Sequence, residues 1–475
     1  MLVMSDQHGW MSTGFVKEGL DTPHLRRIAR EGALFDHCYC NAPLCVPSRM
    51  SFLTGQFPSE LGIFNNDSAL ASDVPTLAHE MGRLGYDTVL IGRMHFKGDD
   101  QKHGFDRRLY GDITSQYWGT GGRARKDFGK YAGTTNRLHC TEAVGGGVSP
   151  VMVYDEAVWR QAMEFLERWE MDHENRPLFL VVGFYGPHFP FACRQDLYEK
   201  YQSLCSVEEC EQDKAREALP FYAEYRQECE KERVRNCRAA YWGLVEQLDG
   251  YVGALYDKFR QVQRREEHVF VYLSDHGEQL GKRGIFGKQT LYEDAVRVPL
   301  IMEGEGIAHG RFSQPVGLLD VSRTLLSLAS FGDSKDFDWH QGVCMDLEKP
   351  DCDQHWIRIQ QMLEEGGEKF LAEAAVFGDY KVIRAQGQWY VYDLKKDAME
   401  EHSLLESCPG RAGELIDQAQ KAGCFVEEEK MGWLIARERQ ACEGQKRLKE
   451  WGRAKSPWEW GTAGIPAGTL RGPAE

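Results

Sequence analysis

Four short stretches of this chain deliver metal-ligating or acid–base side chains directly after apolar runs. Leu2-Val3-Met4 leads to Asp6, Gln7 and His8, and Thr88-Val89-Leu90-Ile91 leads through Gly92 to Arg93 and His95. The run from Pro177 to Phe184 is followed by His188, and Val269 to Leu273 by Asp275 and His276. Two carboxylates, an amide oxygen and an imidazole make a donor set for a divalent cation. Further imidazoles nearby add groups that titrate close to neutral pH and can move protons. A fifth stretch, Cys45-Val46-Pro47-Ser48-Arg49, sets a thiol and a guanidinium four residues apart. A helix holding both would turn them to one face.

These residues act together only if one fold gathers them. The apolar runs are short and nearly continuous, the pattern of strands buried on both faces. Amphipathic segments separate them, one opening at Thr22-Pro23, with Thr22 as cap and Pro23 in the first turn, and a long one from Tyr241 to Phe259. Strand, helix, strand in this order predicts an α/β fold, with a large mixed, mostly parallel sheet flanked by helices. In such sheets ligands bind beyond the carboxyl ends of the strands, where the polar residues above lie. Residues 100 to 150 read as a Gly-rich irregular loop beside the pocket, and Glu199 to Arg235 as a charged helical insertion. Tyr380 to Arg384 and Trp389 to Tyr392 alternate around Gln386-Gly387, a hairpin signature that predicts a smaller antiparallel C-terminal unit. The expected division is a catalytic α/β domain over residues 1–370 and an α+β subdomain over 371–475. A loosely draped tail from Arg453 would carry Trp458 and Trp460.

At 475 residues the chain is too long for one ordinary core, in keeping with two units. The net charge of −16 argues against a nucleic-acid partner and requires that any anionic substrate be held by a local cluster of cations. No apolar run approaches the roughly 18 residues that span a bilayer, so no membrane role is expected. The 14 cysteines are scattered without a CxxC pair, and the N-terminus has no basic region or cleavage site. They read as reduced thiols of a cytoplasmic protein. An upstream start carrying an export signal stays open, as does the oligomeric state.

Residues 45 to 55, Cys-Val-Pro-Ser-Arg-Met-Ser-Phe-Leu-Thr-Gly, resemble the C-x-P-S-R signature of the sulfatase family, within the alkaline-phosphatase-like superfamily. Further segments match that family in order: Met4-Ser5-Asp6-Gln7, Gly92-Arg93-Met94-His95, Gly186-Pro187-His188-Phe189-Pro190, Ser274-Asp275-His276-Gly277-Glu278 and Gly287-Lys288. The resemblance implies a sulfuric-ester hydrolase whose Cys45 is converted to formylglycine (3-oxoalanine) by a separate maturation enzyme. Its hydrate would attack sulfur, release the alcohol and then expel sulfate by means of its second hydroxyl. Asp6, Gln7, Cys45, Asp275 and His276 would hold one divalent metal ion. Calcium is the family expectation, with magnesium or manganese open because of the imidazole. Gln7 and His276 depart from the usual Asp and Asn. By the same resemblance Arg49 stabilises the hydrate, His95 is the base for sulfate elimination, and His188 with Lys288 binds sulfate and protonates the departing oxygen. Arg93 stands where the family usually has Lys, and the two are not interchangeable at close quarters. His8, His24, Lys97 and His103 lie near these motifs and are assigned no role. The substrate implied is a sulfated small molecule or saccharide, with a carbohydrate sulfate as the leading reading and aryl or choline esters as others. Alternatives are a phosphonate or phosphodiester hydrolase on the same scaffold, or an inactive relative that binds sulfated ligands.

Overall fold

The computed structural model describes residues 1–118, 139–172, 176–262, 268–330, 337–349 and 355–454. Among the described residues nine strands form the main sheet. From one edge they run Gly310–Phe312, Ala33–Tyr39, Arg297–Gly304, Val269–Ser274, Leu2–Asp6, Leu178–Pro187, Asp87–Gly92 and Arg107–Tyr110, with Val316–Gly317 also on Ala33–Tyr39. Leu2–Asp6 lies at the centre, parallel to Leu178–Pro187 on one side and to Val269–Ser274 on the other. Arg297–Gly304 runs antiparallel to both its neighbours, which makes the sheet mixed.

Side-chain alternation explains why these strands need cover on both faces. Leu2, Met4, Leu90, Val181, Val271 and Leu273 enter one core cluster, and Val3, Val89, Ile91, Leu180, Val182, Phe270 and Tyr272 enter the other. The second cluster is closed by the helices Pro150–Asp172 and Lys231–Val262, through Tyr154, Val158, Leu248 and Val252. The first is closed in part by the helix Cys45–Thr54 and by a separate sheet. That sheet is antiparallel, in the order Ile357–Glu365, Glu368–Phe377, Tyr380–Ala385, Gln388–Asp393. Gln386 and Gly387 both take positive φ (49° and 73°) in its last turn, the geometry that lets a two-residue loop follow the strand twist. The sheet begins at Ile357, so residues 370 and 371 fall within its second strand, Glu368–Phe377.

Some local expectations change. Thr22 makes no side-chain cap for the helix Pro23–Glu31. The carboxylate of Asp249, from the long helix, instead accepts the N–H groups of His24 and Leu25. The stretch expected to be an irregular loop over 100 to 150 contains the edge strand Arg107–Tyr110, and its residues 119–138 lie outside the described residues. So do Trp458 and Trp460, while the helix Glu428–Ala454 runs through the point where a tail was expected to start. None of the thirteen described cysteines is in a disulfide. No helix among the described residues is long and apolar enough to cross a membrane.

Candidate active site

Every candidate side chain but one comes from the carboxyl end of a strand of the main sheet or from the helix Cys45–Thr54; Lys288 comes from the loop between Val269–Ser274 and Arg297–Gly304. All ten residues of that helix are buried, so it lies inside the molecule with no solvent face. It stops at Gly55, whose φ of 64° suits glycine and whose place a Cβ would contest with His340 at 2.1 Å. Cys45 opens the helix. Its Sγ lies 3.2 Å from His276 Nε2 and 3.7 Å from Asp6 Oδ1.

Asp6, Cys45, Asp275 and His276 thus form a fully buried group whose potential ligand atoms all fall within 4.8 Å of one another. Each carboxylate turns one oxygen away from the cluster centre. Arg49 takes both of these, through Nε to Asp275 Oδ2 at 2.7 Å and Nη2 to Asp6 Oδ2 at 3.2 Å. His276 Nδ1 faces the Gly277 carbonyl at 3.1 Å, so its proton sits there and Nε2 presents a lone pair to the cluster. The donor set fits a divalent cation: two buried carboxylates, an oriented imidazole and the Cys45 position.

Arg49 is therefore anchored on the two carboxylates rather than extended past Cys45. Gln7, at φ 70°, borders the cluster with its amide already engaged: Oε1 accepts from Lys288 Nζ and Nε2 donates to Glu278. Lys288 Nζ also lies 2.6 Å from His188 Nε2, and His188 Nδ1 faces the Phe189 carbonyl at 2.7 Å. Arg93 also joins Asp6, through Nε, and its Nη2 lies 2.9 Å from His95 Nδ1. The plane of Arg93 sits 4.5 Å from the centre of the Tyr185 ring.

The electrostatics follow from burial against these cations. Burial pushes the Asp6 carboxyl up, but the charges of Arg93, Arg49 and Lys288 hold it well below the usual carboxylate range. Burial and Asp6 likewise push up the Cys45 thiol, and Lys288 and His276 outweigh them, leaving it below its ordinary value. For His188, burial and then the Lys288 charge drive the imidazole far below its ordinary value; for His95, burial and then Arg93 do the same. Both histidines are neutral at physiological pH.

A profile of the sulfatase family matches residues 1–331. The choline-sulfatase of Rhizobium meliloti (strain 1021) is 33% identical over 446 residues, covering 88% of this chain and 84% of that one. The chain belongs to the sulfatase family. The architecture of this sulfatase is also that of solved structures at identities that show the fold alone. Ps i-CgsB in complex with k-i-k-neocarrahexaose superimposes with a TM-score of 0.65 at 18% identity, over 95% of this chain and 97% of that one. The phosphonate monoester hydrolase of Agrobacterium radiobacter does so with a TM-score of 0.65 at 19% identity, over 89% and 95%.

Motif reading missed two acidic residues of the sulfatase. Asp112 follows the edge strand Arg107–Tyr110 and accepts from Arg93 Nη1 at 2.9 Å. Its signal was the same strand-end rule that picked out Asp6, hidden because that strand was read as loop. Glu278 stands within a recognised motif but points behind Gln7, accepting also from the N–H groups of Leu280 and Gly287. Only the folded geometry reveals that partnership.

Proposed function

We propose that this sulfatase cleaves a sulfate monoester with a nucleophile made by conversion of Cys45 to formylglycine, beside a divalent cation held by Asp6, Asp275, His276 and the modified Cys45. Gln7 stands beside that set. The observation that carries the reading is the placement of the Cys45 side chain inside a buried cluster of metal-ligand atoms. Calcium is the proposed ion, with magnesium or manganese as the other candidates. Bound there, a cation would neutralise negative charge on the sulfate and polarise the nucleophile.

The chain's own groups do the rest. Arg49 keeps the two carboxylates turned toward the ion by holding their outer oxygens. Arg93 and Lys288 bring positive charge to the two sides of the site, so that an anion enters a cationic pocket in a chain of net charge −16. His188 Nε2 accepts from Lys288 Nζ at 2.6 Å and so aims the ammonium, which stands as the donor to the departing alcohol oxygen. Burial of all these groups excludes water and strengthens each interaction.

For the alcohol, the choline-sulfatase relative, aligned over most of both chains, supports a choline-type ester. A carbohydrate sulfate, the leading reading from sequence, has the saccharide complex of Ps i-CgsB in its favour. The test is sulfate release from choline sulfate, an aryl sulfate and sulfated saccharides, with an aryl phosphonate ester alongside, using protein made with and without a maturation system. The Cys45 peptide is weighed in each preparation. Turnover should track the mass change at Cys45, and chelation should remove it until a divalent ion is restored. Normal sulfate release by protein with unmodified Cys45 overturns the mechanism, and faster phosphonate than sulfate cleavage overturns the substrate class.

A further inference from the structure

Asp112 grips two parts of the active site with one carboxylate. Oδ1 accepts from Arg93 Nη1 at 2.9 Å and from the backbone N–H and hydroxyl of Thr114 at 3.0 and 2.9 Å. Oδ2 accepts the backbone N–H of His95 at 2.9 Å. The side chain is buried, which raises its pKa, yet the Arg93 charge and these donors hold it below the carboxylate range and ionised.

Each nitrogen of Arg93 has a partner as a result. Its Nε goes to Asp6, Nη1 to Asp112 and Nη2 to His95 Nδ1, while Tyr185 stacks against its plane. A guanidinium only donates. His95 Nδ1 must then be the acceptor in the 2.9 Å contact, and a neutral imidazole with an accepting Nδ1 carries its proton on Nε2. The backbone of His95 is held at φ 63°, a conformation costly for a side-chain-bearing residue, and the bond from its N–H to Asp112 helps keep it there. Among the described residues Nε2 has no hydrogen-bond partner, which leaves it for the substrate.

We propose that Asp112 is a positioning residue that acts through Arg93 to hold His95 as the Nε2–H tautomer, so that His95 offers the sulfate ester a hydrogen-bond donor. This rests on the sulfate-ester reading above for the identity of the ligand, but not for the tautomer. It also changes the expected role of His95: an Nε2 that already carries a proton cannot take one from the nucleophile.

The test reads the tautomer directly. Protein labelled with 15N in histidine is examined by long-range proton–nitrogen correlation, with His95 assigned by its loss in His95→Gln. The expected wild-type pattern is a pyridine-type Nδ1 and a pyrrole-type Nε2; a protonated Nδ1 in the wild type overturns the proposal, and needs no variant to do so. Asp112→Asn removes the charge that holds Arg93 and puts an N–H₂ against the His95 N–H or Arg93. It should mix the tautomers and lower kcat/KM by about 10- to 100-fold, the scale of small misplacements in an active site. Arg93→Lys, with one donor centre in place of three, should also free the ring, and covers the case in which Asp112→Asn does not fold. Unchanged tautomer and turnover in the folded variants overturn the proposal. The expected tautomer in mature protein that releases no sulfate from any ester overturns the functional reading and leaves the Asp112 assignment standing.

Discussion

The two sides of the active site carry the same residue type on neighbouring strands and use it in opposite ways. His95 follows Asp87–Gly92 and His188 follows Leu178–Pro187, strands that pair in parallel. Both imidazoles are buried beside a cation, Arg93 for one and Lys288 for the other, and both are held neutral. At His95 the Nδ1 neighbour is a donor; at His188 it is the Phe189 carbonyl, an acceptor. His188 thereby keeps a lone pair on Nε2 that accepts from Lys288 Nζ at 2.6 Å. A histidine's place at a strand end says that an imidazole is present, and the atom next to its other nitrogen says what the imidazole can do.

The largest effect should come from the His188 side. Lys288→Ala should lower kcat by about 10²- to 10⁴-fold, the usual worth of a positioned acid. That loss should be greatest for alkyl sulfates and smallest for 4-nitrophenyl sulfate, whose leaving group needs no proton. Variants on the His95 side should show no such dependence on the leaving group, and a steady-state comparison across esters separates the two.

Beneath both sides lies the ion-paired floor. Arg49→Ala leaves Asp6 and Asp275 buried without their shared partner, and should destabilise the fold by about 3–5 kcal/mol in denaturant titration, the range for breaking one side of a buried pair. A loss under about 1 kcal/mol, the level of a surface pair, contradicts the buried geometry.

A smaller contrast tests the donor role itself. Glutamine can present an N–H where His95 Nε2–H stands, so His95→Gln should stay within about 10-fold of wild-type kcat/KM while His95→Ala falls further. At His188, where Nε2 accepts from Lys288, the glutamine amide oxygen can take the same bond, so His188→Gln should also retain more activity than His188→Ala. A loss in His95→Gln as large as that in His95→Ala contradicts the donor assignment.

The smallest effect concerns pH. The Asp112 carboxyl lies below its ordinary value when folded, so the folded chain binds that proton less readily than the unfolded chain. Its contribution to stability is complete above the ordinary carboxylate range, roughly pH 4, and is lost as pH falls through and below it. Thermal melts of the wild type should therefore decline more steeply on acidification than those of Asp112→Asn. Parallel curves would show that Asp112 is not held by the Arg93 charge.

Much of the architecture was legible before folding because its signals are local. Near-continuous apolar runs at Leu2–Met4, Pro177–Phe184 and Val269–Leu273 require cover on both faces, and the turn at Gln386-Gly387 requires positive φ. The edge strand Arg107–Tyr110 escaped because it is short and only partly buried, and so carries little apolar pattern. The cap at Thr22 misled because the donors of that helix are met by Asp249, far away in sequence.

The sequence by itself determined which side chains stand at the strand ends and that Cys45, Arg49 and the later motifs belong to a sulfatase, since residue type and spacing are carried by the chain. Only the tertiary structure decided how they are used. Arg49 binds the outer oxygens of Asp6 and Asp275, Gln7 is held between Lys288 and Glu278, and Asp112 reaches His95 through Arg93. Those assignments depend on where the second hydrogen-bond partner of each group lies, and that partner comes from another segment of the chain, which only the folded sheet brings alongside.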